Sequence, residues 1–368
     1  MQNYIRPEIL AMGGYVPGEQ PRGKKLLKLN TNENPYRASD HVYEAIRKVM
    51  EAGLSRYPNP FGESFREAAA KLYGVEPDWI LCGNGSDDIL TILTRTFVGS
   101  GELLRLAHPS YILYRSLAEL QGACSEEVYF NRDWTLPEYF WNPVDPKSPY
   151  HLSNPQSTKL KLVFLPNPNS PTGTMIPPSD LEKYAEKLPC PLLIDEAYAD
   201  FAGTNCIDLV KRNPKFMVSR TMSKSYALAG LRFGFLIAQP QIVEQLIKVK
   251  DSYNCDSMAI AAATAAIEDQ EWLKQTTAKI LSTRRRLADR MRALGFEVPE
   301  SSANFTWNVH PDANRVSHKA IADYLKENGY LVRYMNYQGW GDGLRISVGT
   351  DEQTDRCLDL VEEYIRKL

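Results

Sequence analysis

Short apolar runs alternate with amphipathic helical patterns through the first two thirds of the chain. The apolar runs are typical of buried strands, and each ends in a cluster of polar residues: "DWILCGNGSDD", "KLKLVFLPNPNS", "CPLLIDEAYADF" and "KFMVSRTMSK". Strands without polar alternation, separated by helices, predict a mostly parallel sheet covered by helices on both faces. Ligands of such sheets bind at the carboxyl ends of the strands, where these polar clusters fall. The pattern therefore predicts an α/β domain with its site at that edge.

The pattern changes after Asn254. Longer helical patterns, "STRRRLADRMRALGF" and "SHKAIADYLKENG", are interleaved with the short strand patterns "LVRYM" and "GLRISVG". We expect an N-terminal arm over residues 1–40 that joins a small domain, a large α/β domain over 41–255, and a smaller α+β domain over 256–368.

The charge balance argues against polyanionic partners. Lysine and arginine total 43 against 45 acidic residues, which gives a net charge of −2. No block of like charge suggests nucleic acid or an anionic membrane, and no apolar window is long enough for a membrane span. The six cysteines and five histidines are scattered, so neither disulfides nor a metal site are expected. We expect a cytoplasmic protein whose partners are small molecules or a second copy of itself.

Lys224 has a chemical context that most lysines lack. It follows a predicted strand end, with Thr221 and Ser223 before it and Arg232 eight residues later. An amine close to another cation loses its proton more readily, as a lysine that attacks a carbonyl carbon requires. Hydroxyls and an arginine beside that lysine favour a phosphate on its carbonyl partner.

Several motifs occur in the order found in a known family. "NPNSPTG", "DEAYADF" and "SKSYALAGLRFGF" resemble the signatures of fold-type I, class I/II pyridoxal-phosphate aminotransferases. The N-terminal "KLNTNENPY" and the C-terminal "VRYMNYQGWGDGLRISVGT" are similar to those of the histidinol-phosphate branch. The resemblance extends from about Ile5 to the end of the chain, and it implies pyridoxal 5'-phosphate as the cofactor.

The resemblance implies catalytic roles for Lys224, Asp195 and Tyr198. Lys224 binds the cofactor aldehyde and then acts as the proton carrier. A carboxylate next to the ring nitrogen keeps that nitrogen protonated, and Asp195 at the end of "PLLID" matches this role. Tyr198 matches the tyrosine that donates to the phenolic oxygen of the cofactor.

A phosphate cradle is implied at the glycine turn "GNGSDD". A helix N-terminus presents free amides to an anion, and Ser86 and Asp87 are cap candidates there, with Asp87 turned back to cap the helix. The cradle residues implied by the family are Gly85, Ser86, Asp87, Thr221, Ser223 and Arg232, with Tyr57 reaching in from a neighbouring subunit. Because Tyr57 would come from a second copy of the chain, its role predicts a homodimer.

Two positions around the cofactor ring leave alternatives open. Tyr111 matches the stacking position, with Tyr114 as its competitor. "NPNSPTG" has Ser170 directly before Pro171, where the family usually has an asparagine that contacts the phenolic oxygen. Asn169 is the preferred replacement, and Ser170 is the alternative.

Substrate-side positions are also implied by resemblance. Arg345 matches the arginine that binds the α-carboxylate, and Arg333 matches a second arginine that meets the substrate phosphate in histidinol-phosphate enzymes. Tyr15 and Asn304 match further positions on the substrate side.

Amino transfer between histidinol phosphate and 2-oxoglutarate is the leading functional hypothesis. The same site is compatible with an aromatic amino-acid aminotransferase, a decarboxylase, or an enzyme of side-chain elimination or cyclisation, because the pocket walls decide the fate of the carbanion. Arg37, where the family tends to have glycine, and Ser170 leave room for such a specialist. A non-catalytic sensor that binds the cofactor is the alternative from a different class.

Overall fold

The computed structural model describes residues 4–14, 18–20, 26–144 and 159–368. Within them a seven-stranded sheet forms the centre of the larger part, with the spatial order β2-β8-β7-β6-β5-β3-β4. Its strands are β2 Ile80–Gly83, β3 Leu103–His108, β4 Cys124–Tyr129, β5 Leu160–Pro166, β6 Leu192–Asp195, β7 Phe216–Thr221 and β8 Gly234–Ile237. Their pairing is parallel except along β8. The predicted mostly parallel α/β sheet is confirmed.

Helices cover both faces of this sheet. Because successive strand residues point to opposite faces, Val163 belongs to one apolar core and its neighbour Phe164 to the other. The helices in the described residues are α1 Pro7–Ala11, α2 Asp40–Ala52, α3 Glu63–Tyr73, α4 Ser86–Phe97, α5 Leu113–Gln121, α6 Pro178–Ala185, α7 Ile207–Arg212, α8 Pro240–Ile247, α9 Ser257–Glu268, α10 Gln270–Ala293, α11 His318–Glu327 and α12 Asp351–Arg366. None of these helices is long and apolar enough to cross a membrane.

The direction of β8 brings the loop that carries Arg232 close to Ser86 at the start of α4. The chain returns from Thr221 at the end of β7 to Gly234 at the start of β8 through a loop with only a short 3-10 turn. A parallel connection needs a longer crossover, so this return makes β8 antiparallel. A Cβ on Gly234 would lie 2.4 Å from the backbone nitrogen of Ser86, so glycine there allows α4 to approach the loop.

A second, four-stranded sheet carries the C-terminal part of the site, in the order β1-β10-β11-β9. Its strands are β1 Leu27–Leu29, β9 Phe305–Asn308, β10 Tyr330–Tyr337 and β11 Gly341–Ser347. β1 pairs parallel with β10, so the N-terminal segment adds a strand to this sheet. A separate apolar core lies under it and includes Ile280, Leu325 and Leu358.

Core packing suggests a domain boundary slightly beyond the predicted one. α9 contributes Ala263 and Ile267 to the core of the large sheet, whereas Ile280 in α10 belongs to the core of the small one. We therefore propose that the boundary lies inside α10 and not between residues 255 and 256.

Candidate active site

A cavity of about 470 Å³ lies at the carboxyl ends of the parallel strands, between the two sheets. Lys224, half-buried in the loop after β7, lines it. Its Nζ donates a hydrogen bond to the backbone oxygen of Thr31 at 3.1 Å and lies 5.9 Å from the ring centre of Tyr198. Lys224 and Tyr198 therefore line the same cavity.

Asp195 ends β6 with its carboxylate buried and hydrogen-bonded. Oδ2 accepts from the hydroxyl of Tyr114 at 2.7 Å, and Oδ1 accepts from Ser219 Oγ and from the backbone nitrogen of Ala197, each at 3.2 Å. Burial raises the pKa of Asp195, and the hydrogen bonds from Tyr114 and Ser219 oppose that rise. A buried carboxylate of this kind favours a cationic partner, such as a protonated ring nitrogen.

Arg232 ends the 3-10 turn between β7 and β8, with its backbone in the left-handed region at φ 51°, and its guanidinium lies beside the start of α4. Its Nη1 donates to Ser223 Oγ at 3.2 Å, and its Nη2 lies 3.1 Å from Asp87 Oδ2. A Cβ on Gly85 would lie 2.5 Å from Nη2, so only glycine leaves room for the guanidinium. The N-terminus of α4 and Arg232 together form an anion-binding corner lined by Ser86, Thr221 and Ser223.

The predicted cap of α4 is wrong. The N-cap is Gly85, which has no side chain, and Ser86 and Asp87 are the first residues of the helix. Asp88, not Asp87, turns back to accept from the backbone nitrogen of Asn84 at 3.0 Å. Asp87 instead pairs with Arg232, because the cation attracts its carboxylate more strongly than a backbone amide.

The two candidate stacking tyrosines have different surroundings. Tyr111 is half-buried on the cavity wall and donates its hydroxyl to Asp87 Oδ1 at 3.1 Å. Tyr114 is fully buried, and its ring meets that of Tyr111 edge-on at 5.5 Å. Burial, and then the charge of Asp195, raise the pKa of Tyr114 well above its ordinary value, so Tyr114 remains a hydrogen-bond donor. Both tyrosines line the cavity, and Tyr111 is the one that retains exposed surface there.

Ser170, and not Asn169, reaches the cavity wall. The amide of Asn169 is turned away and donates to the backbone oxygen of Pro109 at 3.3 Å and to Thr172 Oγ1 at 3.1 Å. The preference for Asn169 over Ser170 therefore disagrees with the geometry: the amide of Asn169 is engaged inside its own loop.

Two arginines approach the cavity from the small sheet. Arg333 in β10 and Arg345 in β11 are directly opposite across the antiparallel pair. Arg345 is oriented by Ser170 Oγ and by the backbone oxygen of Asn30, which accept from Nη1 and Nη2 at 2.9 Å each. The side chain of Arg333 makes no hydrogen bond or ion pair with the described residues, and both arginine side chains line the cavity.

Two further predicted site residues, Tyr57 and Asn304, do not line this cavity. Tyr57 is 80% exposed and stacks on Tyr253 with ring centres 4.4 Å apart. Asn304 is completely buried behind the wall and donates to the backbone oxygen of Asn32 at 3.0 Å. Its position as a direct substrate contact is not supported, because no surface of it remains exposed. Tyr15 lies outside the described residues.

Sequence reasoning missed the segment Asn30–Asn32, which contacts three of the predicted functional side chains. The backbone oxygen of Asn30 accepts from Arg345, that of Thr31 accepts from Lys224, and the amide of Asn32 donates to Tyr198 Oη at 2.9 Å. Two of these contacts use backbone oxygens, which every residue type offers. The only available signal was the occurrence of "LNTNENPY" directly after a short apolar run.

Comparison with known proteins identifies the family. The family model "Aminotransferase class I and II" matches residues 24–361. A histidinol-phosphate aminotransferase of Rhodopirellula baltica is 52% identical over 364 residues, 99% of this chain and 96% of that protein. One of Syntrophotalea carbinolica is 42% identical over 97% of this chain and 98% of that protein.

A solved structure agrees with these relatives. The histidinol-phosphate aminotransferase of Sinorhizobium meliloti in complex with pyridoxal-5'-phosphate superposes with a TM-score of 0.86 at 25% identity, and the match covers 99% of this chain and 98% of that one.

The residues present fit the cofactor of this family. The corner around Arg232 and Gly85 suits its phosphate, the buried carboxylate of Asp195 suits its ring nitrogen, and Lys224 lies in the same cavity. The chain belongs to the aminotransferase class I and II family and is a pyridoxal-phosphate-dependent aminotransferase acting on an amino donor and a 2-oxo acid.

Proposed function

We propose that the protein is a histidinol-phosphate aminotransferase that exchanges amino groups between histidinol phosphate and 2-oxoglutarate. One observation carries the proposal: two arginines, Arg333 and Arg345, line one cavity together with Lys224. Full-length identity of 52% to a curated histidinol-phosphate aminotransferase supports the substrate.

The two arginines suit both substrates of such a reaction. Arg345 is held by Ser170 and Asn30, so its planar fork is oriented for a carboxylate or a phosphate. Arg333 has no ion-pair partner among the described residues and supplies a second cation to a ligand with two anionic groups. An oxo acid with two carboxylates and an amino alcohol phosphate can therefore use the same pair in turn.

An aromatic amino-acid aminotransferase fits less well. A neutral aromatic side chain has no anion to offer Arg333, and a half-buried, unpaired guanidinium is unfavourable beside an apolar ring. Arg37, which departs from the family pattern, is exposed, pairs with Asp40 at 3.3 Å and covers the ring of Tyr43 at 4.1 Å. It is not part of the cavity, so this departure does not argue for a different specialist.

The chain's own residues hold and move the proton. Bound pyridoxal phosphate supplies the electron sink that makes the α-hydrogen of the substrate acidic. Lys224 Nζ, which lines the same cavity, would be the base that accepts this proton and the acid that gives it back. Asp195 would hold the cofactor's ring nitrogen in its protonated form, and Tyr198 would donate to the cofactor's phenolic oxygen. Arg345 fixes the substrate in the plane that this transfer requires.

We also propose a homodimer in which Tyr57 serves the cofactor phosphate of the partner subunit. Tyr57 is 80% exposed and does not line the cavity of its own chain. Met50, Leu54 and Phe61, close to it in sequence, are exposed as well. A second copy would cover these apolar side chains.

The half-reaction with the donor alone tests the substrate. Cofactor-loaded protein is mixed with histidinol phosphate, and the visible absorbance of the aldehyde form is followed. The proposal predicts complete conversion to the amine form and return of the original spectrum with 2-oxoglutarate. No conversion with histidinol phosphate, combined with turnover of phenylalanine or tyrosine, contradicts it.

A further inference from the structure

Asn32 connects Tyr198 to the small sheet. The residue is 1% exposed, and its backbone lies in the left-handed region at φ 56°, which asparagine adopts more readily than most residues. Its Nδ2 lies 2.9 Å from Tyr198 Oη, and its backbone oxygen accepts from Asn304. The buried Asn32 is therefore held by hydrogen bonds through both its side chain and its backbone.

Ser347 determines which end of the Asn32 amide faces Tyr198. Ser347 Oγ accepts from the backbone nitrogen of Asn32 at 2.9 Å, and the same Oγ lies 2.9 Å from Asn32 Oδ1. A hydroxyl has one hydrogen, and here it is donated to Oδ1. The amide nitrogen is thereby directed at Tyr198.

The direction of that hydrogen bond has a chemical consequence for Tyr198. An amide nitrogen donates and has no acceptor lone pair, so Tyr198 Oη must accept from it. The single hydrogen of the tyrosine then remains available for another acceptor on the cavity side, where Tyr198 forms part of the wall.

We propose that Asn32 is a positioning residue that orients the Tyr198 hydroxyl to donate to the phenolic oxygen of the bound cofactor. The inference rests on the proposed function, because it requires the cofactor in this cavity. Ser347 acts one step further away, through Asn32.

Among the residues that the structure describes, the charged groups nearest to Tyr198 do not occupy its hydroxyl. Lys224 Nζ lies 5.9 Å from its ring centre, and the Asp195 carboxylate, three residues earlier, is occupied by Tyr114 and Ser219. On the side of the small sheet, Phe305 meets the ring edge-on at 5.0 Å and carries no charge. Asn32 is therefore the polar group that the structure places against the hydroxyl.

The substitution Asn32→Asp tests the direction of this bond with almost no change of shape. A carboxylate only accepts, so it takes the hydrogen of Tyr198 and the cofactor oxygen loses its donor. A hydrogen bond from Tyr198 to the phenolic oxygen stabilises the deprotonated form of the cofactor. Loss of that hydrogen bond therefore raises the midpoint, the pH at which the visible absorbance of the cofactor-loaded protein is half changed. We expect the midpoint to rise by about one to two pH units, the size of one charge-assisted hydrogen bond.

Two further variants separate this effect from added charge. Asn32→Ala leaves the Tyr198 hydrogen free, so its midpoint rises by less than half as much as that of Asn32→Asp. In a Tyr198→Phe background, which itself raises the midpoint, Asn32→Asp adds a smaller rise than in the native background. An unchanged midpoint in Asn32→Asp, or equal rises with and without the Tyr198 hydroxyl, overturns the proposal.

Ser347→Ala keeps the proposal testable if Asn32→Asp does not fold. Without the Ser347 hydroxyl the amide of Asn32 is free to turn its oxygen toward Tyr198. The midpoint then rises in the native background and stays unchanged in Tyr198→Phe; an unmoved midpoint in both contradicts the inference. Failure of the native protein to show a cofactor absorbance would instead reject the proposed function, so the two failures are distinguishable.

Discussion

Asp87 Oδ2 lies 3.1 Å from Arg232 Nη2, so an acidic residue from the first turn of α4 neutralises the arginine of the anion-binding corner. Both side chains are nearly half exposed, and water screens the pair. A phosphate entering the corner therefore competes with Asp87 for the guanidinium, while the free amides of α4 remain available to it.

Substitutions of the two partners should have opposite effects on the affinity for pyridoxal phosphate. Arg232→Gln removes a charge-assisted contact, and we expect an affinity at least about tenfold lower. Asp87→Asn removes the competing negative charge, and we expect an equal or higher affinity. Equilibrium titration by absorbance measures both; weaker binding in Asp87→Asn would show that its carboxylate helps to hold the cofactor.

Asp195→Asn should stabilise the cofactor-free protein while weakening the holoenzyme. Burial raises the folded-state pKa of Asp195 above the ordinary value of 3.8, so the unfolded chain ionises first as the pH rises. The native protein therefore loses stability from about pH 4 up to the folded-state pKa, by about 1.4 kcal/mol for each pH unit that separates the folded and unfolded pKa values. At pH 7 the neutral amide avoids this cost.

Urea denaturation of cofactor-free protein at pH 4 and pH 7 measures the difference. The gain in the free energy of unfolding for Asp195→Asn should be larger at pH 7, and the stabilisation by added cofactor should be smaller than in the native protein. Asp78→Asn, at an exposed carboxylate, is the control. A variant less stable than the native protein at pH 7 without cofactor contradicts the prediction.

The fold followed from the sequence because its signals are local. Uninterrupted apolar runs predict buried parallel strands, and polar residues directly after them, such as Asp195 and Lys224, fall at one edge of the sheet. The domain boundary is less visible, because α9 is almost wholly apolar and alanine-rich and its sequence does not tell which core it joins.

Parts of the site were not predictable because they depend on distant partners. Asn32 contacts Tyr198 and Ser347, far apart in sequence, and no local pattern reports such pairs. The cap prediction failed because the sequence did not show that Arg232 would be close enough to attract Asp87. Tyr114 was considered only as a ring, yet its hydroxyl donates to Asp195.

Lysine substitutions should separate the roles of the two cavity arginines. In Arg345→Lys the planar fork is lost, and we expect KM for both histidinol phosphate and 2-oxoglutarate to rise about tenfold or more. In Arg333→Lys, which retains a point charge without partners, the rise should be smaller. Steady-state kinetics measures KM for each variant, and an unchanged affinity for the cofactor is the control. An unchanged KM in Arg345→Lys contradicts the prediction.

Mixed dimers test whether Tyr57 crosses to the partner subunit. Tyr57→Ala and Lys224→Ala are each expected to be weakly active or inactive alone. After joint unfolding and refolding, a mixed dimer has one site with native Lys224 and a native Tyr57 from the other chain, so activity should rise above the sum of the separate proteins. No gain, with mixed dimers shown by mass spectrometry, places Tyr57 in the site of its own chain or outside it.

The covalent attachment of the cofactor to Lys224 is the most direct test of the proposed chemistry. Cofactor-saturated protein is reduced with borohydride, digested and sequenced by mass spectrometry, with Lys224→Arg and Lys250→Arg as paired variants. We predict a pyridoxyl phosphate adduct on the peptide containing Lys224, retained in Lys250→Arg and lost in Lys224→Arg. An adduct on another lysine of the native protein, or none at all, would contradict this assignment.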